Sequence, residues 1–129
     1  MDDLVQISAA LSDATRVRLL AACLDGERCV CQLVALAGLS NAAVSKHLSL
    51  LRDAGLLESR KEGRWVYYRL PAEPGPVVRD AIEWVRRHAK GEIERVRKLM
   101  NQVLVLEPAE LSRMLRAGCC VIVVKKECC

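Results

Sequence analysis

Residues 38–51 read Gly-Leu-Ser-Asn-Ala-Ala-Val-Ser-Lys-His-Leu-Ser-Leu-Leu, and this stretch decides the fold. Gly38 is free to take a positive φ and so to make a tight turn. Ser40 follows as a helix cap. Val44, Leu48 and Leu51 then recur at helical spacing as one apolar stripe, and Gly55 stands where a helix C′ residue belongs. The face opposite that stripe carries Ala42, Ser45, Lys46 and Ser49. Those side chains are small or hydrogen-bonding, which would let the helix lie close to base edges in a major groove. Upstream, a shorter helix is expected from about Cys29 to Ala37, with Val30, Leu33 and Val34 on one face. Two helices joined by a short Gly-containing turn form a helix-turn-helix. On this pattern alone, a plain helical hairpin with a polar outer face reads equally well.

The residues that follow separate the two. Leu56 to Arg60 and Arg64 to Leu70 flank Lys61-Glu62-Gly63, and Val66, Tyr68 and Leu70 alternate with Trp65, Tyr67 and Arg69 at the period of a strand. Gly63 suits a hairpin turn. Arg60, Lys61 and Arg64 sit at its tip, placed for phosphate or minor-groove contact. A helix-turn-helix followed directly by a basic hairpin is a winged helix, so the expected fold is mainly α with a small β-hairpin.

Working outward, Ser12-Asp13 caps a helix carrying Val17, Leu20 and Leu24 that ends at Asp25-Gly26. Pro71 to Pro76 is a breaker segment. From Val77 a stripe of Val78, Ile82, Val85, Ala89, Ile93, Val96, Met100 and Val103 reads as one long helix. It outlasts what a small wing domain needs, so the 77–104 helix is read, with the N-terminal helix, as the homodimer interface, an in-chain lid being the alternative. Glu107-Pro108-Ala109-Glu110 opens a short helix through Leu111, Met114 and Leu115. The expected division is a winged helix-turn-helix and dimerisation unit over 1–104 and a short helix with a Cys-rich tail over 105–129.

The chain has 129 residues, 52% of them hydrophobic, with a mean hydropathy of +0.13, which excludes a disordered or low-complexity protein. Two Trp, two Tyr and no Phe mean that the core is aliphatic. The net charge of +4 is unevenly placed: residues 1–39 sum to −2, with three bases against five acids. Residues 40–70 sum to +3, with six bases against three acids. No stretch approaches the roughly 18 apolar residues of a membrane span, and Met1-Asp2-Asp3 lacks the basic start of a signal peptide. A cytoplasmic protein with no membrane partner is expected.

Seven cysteines stand at 23, 29, 31, 119, 120, 128 and 129. An odd number with two adjacent pairs fits a disulfide framework poorly and fits soft-metal or redox chemistry better. Cys23, inside Leu19-Leu20-Ala21-Ala22-Cys23-Leu24, reads as a core residue.

Several segments together resemble the ArsR/SmtB metalloregulatory repressors. Asp13-Ala14-Thr15-Arg16-Val17-Arg18-Leu19-Leu20 is similar to the family's opening signature, and Glu27-Arg28-Cys29-Val30-Cys31-Gln32-Leu33 to its metal box, written ELCVCDL. Leu39 to Leu48 resembles its recognition helix, while Leu51 to Leu57 and Arg60 to Leu70 resemble its helix end and wing. The resemblance spans about residues 4–100. It implies a homodimeric repressor that leaves a palindromic double-stranded operator when a metal ion or metalloid binds, with Ser40, Asn41, Ser45, Lys46, His47, Ser49, Arg60, Lys61 and Arg64 as DNA-contact candidates. The Cys-x-Cys box points to the arsenic/antimony branch, with As(III) or Sb(III) as inducer and Cd(II) or Pb(II) as the neighbouring choice. That branch commonly carries a third Cys three positions on, where this chain has Val34.

Trivalent arsenic and antimony favour three thiolates, and softness selects Cys over His or carboxylate. On an ideal helix Cys29 and Cys31 point about 200° apart, so binding is expected to unwind the first turn of their helix and re-aim Ser45 and Lys46 on the recognition helix packed beside it. A third thiolate, or a second site, is sought among Cys119, Cys120, Cys128 and Cys129, from the same or the partner subunit, or from exogenous thiol. A dispensable tail is the alternative. A His/carboxylate zinc site has only Asp80, Glu83 and His88 to draw on, without a second His after them. Thiol-redox control of the same fold is a competing reading. A thiol enzyme such as an arsenate reductase is disfavoured because no Cys lies in a Gly- or Arg-rich oxyanion cradle, and a metal-storage module leaves the helix-turn-helix unexplained. No enzymatic activity is expected.

Overall fold

A computed structural model describes residues 2–116. In chain order it runs α1 (Asp2–Ala10), α2 (Ala14–Ala22), β1 (Arg28–Cys29), α3 (Val30–Ala37), α4 (Asn41–Asp53), β2 (Glu58–Glu62), β3 (Trp65–Arg69), α5 (Pro76–His88), α6 (Lys90–Val103) and α7 (Pro108–Arg116). The winged helix-turn-helix is present, with α3 and α4 as the two helices and β2–β3 as the wing. Cys119, Cys120, Cys128 and Cys129 lie outside the described residues.

Local chemistry sets the boundaries. Asp13 caps α2 by accepting from the N–H groups of Thr15 at 2.8 Å and Arg16 at 3.2 Å. Ser40 Oγ accepts from Ala43 N–H at 3.1 Å and opens α4. Between α3 and α4, Gly38 takes φ 68°, and past the end of α4 Gly55 takes φ 80°, the left-handed conformation that ends helices at least cost to glycine. Both helix-turn-helix boundaries were legible because each depends on residues within a turn of one another.

The sheet is antiparallel in the order β1-β3-β2. Its third strand was missed in the sequence, since two residues carry no alternation to detect. Arg28 pairs with Tyr68 and Cys29 with Tyr67, while Arg60 also pairs with Tyr67 from the other side. Cys29, Tyr67 and Arg60 therefore form one cross-strand row, and the cysteine box is stitched into the wing.

Leu19, Leu20, Leu33, Val44, Leu48, Leu51 and Leu56 are fully buried and make the aliphatic core. Cys23 joins them at 1% exposure, its Sγ 3.8 Å from the carbonyl of Tyr68 and its thiol pushed up to about 12 by burial. The expected long helix over 77–104 is two helices that break at Ala89, whose φ of −117° and ψ of 31° leave the helical region. Helix α6 turns back against α2 and α3. Its Ile93, Val96, Met100 and Val103 are buried in the chain's own core, so that half of the stripe acts as the in-chain lid. Helix α5 keeps Trp84 60% exposed. Helix α7 packs on α3 through the fully buried Leu111. Among the described residues, no helix is long and apolar enough to cross a membrane.

Candidate thiolate site and nucleic-acid interface

Cys29 and Cys31 converge. The first is the N-cap of α3, with φ −72° and ψ 148°, and the second lies inside the first turn. Because Cys29 is extended rather than helical, its side chain does not diverge from that of Cys31 by the 200° of an ideal helix. The Cys31 S–H donates to Cys29 Sγ across 2.9 Å. Two sulfurs that close can face one soft ion without any unwinding, so the expected strain at the start of α3 is absent. Gln32 fixes the cap by accepting the Cys29 N–H on Oε1 at 2.8 Å, the return half of a capping box.

Electrostatics divide the pair. The Cys31 S–H above all, and then the backbone N–H groups at the start of α3, outweigh burial and hold Cys29 down at about 7. Cys31 is pushed up by donating its proton to Cys29, by burial and by the charge beside it. The fold thus favours ionisation of Cys29, with the Cys31 thiol as its hydrogen-bond donor. Among the described residues, no three His, Cys, Asp or Glu side chains cluster to hold a metal ion.

The pair opens into a cleft of about 710 Å³. Val30 and Val34 of α3 line it with Leu39, Ser40, Asn41, Ser45 and Arg52 of the turn and α4. Arg64, Trp65, Val66 and Tyr68 come from the wing, and Ser112, Leu115 and Arg116 from the last turns of α7. Four of the nine DNA-contact candidates, Ser40, Asn41, Ser45 and Arg64, therefore stand in the same cleft wall as the thiol pair.

The other candidates separate. Lys46 and Lys61 are exposed and Ser49 is half-buried. His47 turns inward, its Nδ1 3.2 Å from Nη1 of Arg16, which also donates to the α1 carbonyls of Ala9 at 3.0 Å and Ala10 at 2.8 Å. Arg60 is engaged from three directions. Its Nε and Nη2 meet both oxygens of Glu27 at 2.8 and 2.7 Å, its Nη1 meets Glu62 at 3.0 Å, and the guanidinium stacks 4.5 Å from the Tyr67 ring centre. Glu27 is held below the usual carboxylate range by that Arg60 hydrogen bond. Sequence reading placed Arg60 at the DNA and missed Glu27, because the two are 33 positions apart and nothing local signals their pairing.

A second groove of about 690 Å³ lies between α1 and α5, lined by Leu4, Ile7, Leu11, Val77, Ala81 and Trp84 among others. Leu4, Val5, Val77 and Trp84 expose 55%, 58%, 40% and 60% of their surface there or beside it.

Comparison with known proteins gives the same frame. Residues 13–59 match the model of the arsR family of bacterial regulatory proteins. The chain is 41% identical over 85 residues to the arsenic resistance transcriptional regulator ArsR1 of Pseudomonas putida, 65% of this chain and 61% of that protein. ArsR2 of Halobacterium salinarum is 42% identical over 84 residues, 64% of this chain and 70% of its own. A homolog of the cadmium resistance regulatory protein CadC from Staphylococcus aureus is 43% identical over 72 residues, 55% of this chain and 60% of its own. The match thus spans about three fifths of the Pseudomonas and Staphylococcus relatives. Among solved structures, HlyU from Vibrio cholerae superposes with a TM-score of 0.58 at 34% identity, over 67% of this chain and 90% of that one. The homodimeric winged helix-turn-helix DNA-binding domain of a Mycobacterium bovis protein gives 0.58 at 29%, over 73% and 84%.

Proposed function

The chain belongs to the arsR family of bacterial regulatory proteins, and from that membership we propose that it is a cytoplasmic repressor that binds operator DNA and leaves it on capturing As(III) or Sb(III). The family and these relatives are regulators rather than enzymes. One observation carries the finer reading: Cys29 and Cys31 present sulfurs 2.9 Å apart in the wall of a cleft shared with the recognition helix α4. Soft trivalent metalloids select such thiolates over oxygen and nitrogen donors. The third thiolate is drawn from the segment beyond α7, which carries Cys119, Cys120, Cys128 and Cys129.

DNA is read by Ser40, Asn41, Ser45, Lys46 and Ser49 on α4 and held by Lys61 and Arg64 on the wing. Two copies pair through α1 and α5, whose exposed Leu4, Val5 and Trp84 flank a groove otherwise open to water. The homodimeric Mycobacterium bovis neighbour supports pairing of two copies.

Fluorescence anisotropy on operator DNA tests the reading. Arsenite or antimonite is expected to release the protein, and Cys29→Ser and Cys31→Ser are expected to stay bound. Retention of wild type on DNA at saturating metalloid overturns it. The Staphylococcus aureus relative favours a second reading, in which Cd(II) is the inducer; release by Cd(II) without release by arsenite selects it.

A further inference from the structure

Helix α7 follows the winged helix in sequence, yet its last turns stand beside the DNA-reading face. Its own pattern explains the placement. Leu111, Met114 and Leu115 recur at helical spacing and pack on the core, Leu111 fully buried where α7 meets α3. Ser112 and Arg116, one turn apart, fall on a neighbouring face and line the cleft that also holds Asn41, Ser45 and Arg64. Nη1 of Arg116 donates to Ser112 Oγ at 3.2 Å, which restrains an otherwise exposed side chain within that wall. Arg113, exposed on the same helix, does not line the cleft.

Charge gives the cleft its character. Arg52 lines it from α4, two helical turns on from Ser45 and on the same face, and Arg64 lines it from the wing. Three separate elements thus each bring one guanidinium, while among the described residues no Asp or Glu lines the cleft. The three are lightly held. Arg52 lies 3.8 Å from Asp53 in an exposed pair, and such pairs contribute little. Arg64 packs over the Trp65 ring at 4.8 Å, and a neutral hydroxyl rather than a carboxylate holds Arg116. Arg60, clamped by Glu27 and Glu62, is the opposite case.

We propose that this cleft seats a sugar-phosphate strand of the operator, and that Arg116 of α7, with Arg52 of α4, joins Arg64 in holding its phosphates. The inference rests on the reading of α4 and the wing as the DNA-binding elements, and it adds α7 to them. A guanidinium offers a fork of N–H donors that matches two phosphate oxygens at once. Contacts of that kind fix the register of a protein on a duplex and carry no sequence information. The small and hydrogen-bonding side chains of α4 are thereby left to read bases, while α7 anchors the backbone that runs between α4 and the wing.

Anisotropy isotherms over a salt series test this, with the full chain, no metalloid, and two duplexes of equal length, operator and scrambled. Arg116→Ala and Arg52→Ala are each expected to weaken binding to both duplexes by the same factor, about three- to tenfold, and to flatten the salt slope by about 0.9. Arg116→Lys is expected to keep the slope, because a point charge still neutralises a phosphate. Arg113→Ala is expected to keep both slope and affinity. Urea midpoints of all four variants should match wild type, since these side chains are exposed. A wild-type slope in Arg116→Ala overturns the proposal. So does equal flattening in Arg113→Ala, which would reduce the effect to net charge. Tighter binding by Arg116→Ala overturns it too, because α7 would then obstruct the duplex. Failure of wild type to bind either duplex at low salt sinks the underlying DNA-binding reading instead, a result that no variant outcome imitates.

Discussion

At Arg60 the guanidinium meets both oxygens of Glu27 and one of Glu62, so a phosphate would have to displace two carboxylates to reach it. The three groups together carry a net charge of −1, which repels rather than attracts a duplex. Among the described residues, Lys61 and Arg64 carry no such ion pair. Each phosphate contact adds about 0.9 to the slope of log affinity against log salt. Lys61→Ala and Arg64→Ala are therefore expected to weaken operator binding and each flatten that slope by roughly one. Arg60→Ala is expected to leave the slope unchanged, and Glu27→Gln to steepen it by loosening Arg60. A salt series of binding isotherms checks all four, and an Arg60→Ala slope as flat as that of Lys61→Ala would return Arg60 to the DNA. Asp13 shows the opposite case, a role readable from its immediate neighbours. The N–H groups of Arg16 and Thr15 hold its carboxyl below the ordinary 3.8, so the ionised form is favoured by folding. Its stabilisation is complete above that unfolded value and is lost as pH falls through the lower folded one. Asp13→Asn keeps an acceptor and cannot titrate. Urea midpoints of the two proteins are expected to differ near neutral pH, with wild type higher, and to converge in acid. A gap independent of pH would mean that the charge plays no part.

The elements sort by how local their causes are. Helices α2, α3 and α4 were legible from caps, stripes and glycines, and the hairpin from alternation and a Gly turn. Strand β1 was not, because its existence depends on Tyr67 and Tyr68 nearly forty residues downstream. That single omission put Cys29 on a helix and generated an expectation of strain that the extended N-cap geometry removes. The stripe from Val78 to Val103 was read correctly as apolar and helical but not as broken. Periodicity continues smoothly through Ala89, so the pattern holds no record of the turn there. What α6 then does is a matter of tertiary packing: Met100 is 2% exposed and Val103 fully buried beside α2 and α3. Met100→Ala is expected to destabilise the fold by about 2–5 kcal/mol, the usual cost of truncating a buried Met. Lys98→Ala, on the exposed face of the same helix, is expected to stay within about 0.5 kcal/mol of wild type. Equilibrium urea unfolding distinguishes them, and equal values for the two would place α6 outside the core.

Across the whole molecule, the surfaces proposed for sensing and for pairing are different ones. The thiol pair, the recognition helix and the wing surround one cleft, while the exposed apolar residues of α1 and α5 border another. A winged helix that reads a palindrome needs two recognition helices about one duplex turn, roughly 34 Å, apart, and only a dimer supplies them. Cys29 and Cys31 come from one chain, so metalloid capture by that pair should survive separation of the protomers. Trp84→Glu places a charge on the 60% exposed indole position of α5 without touching the core. Sedimentation is expected to show a monomer at concentrations where wild type is dimeric, with helical circular dichroism preserved. Operator affinity should then fall at least a hundredfold, since the second half-site contributes nothing, while the sulfur count at bound arsenic stays at the wild-type value. A monomer that lost arsenic together with DNA would mean that the site is shared between subunits. A variant that remained dimeric would move the pairing surface away from α1 and α5 and leave their groove for another partner.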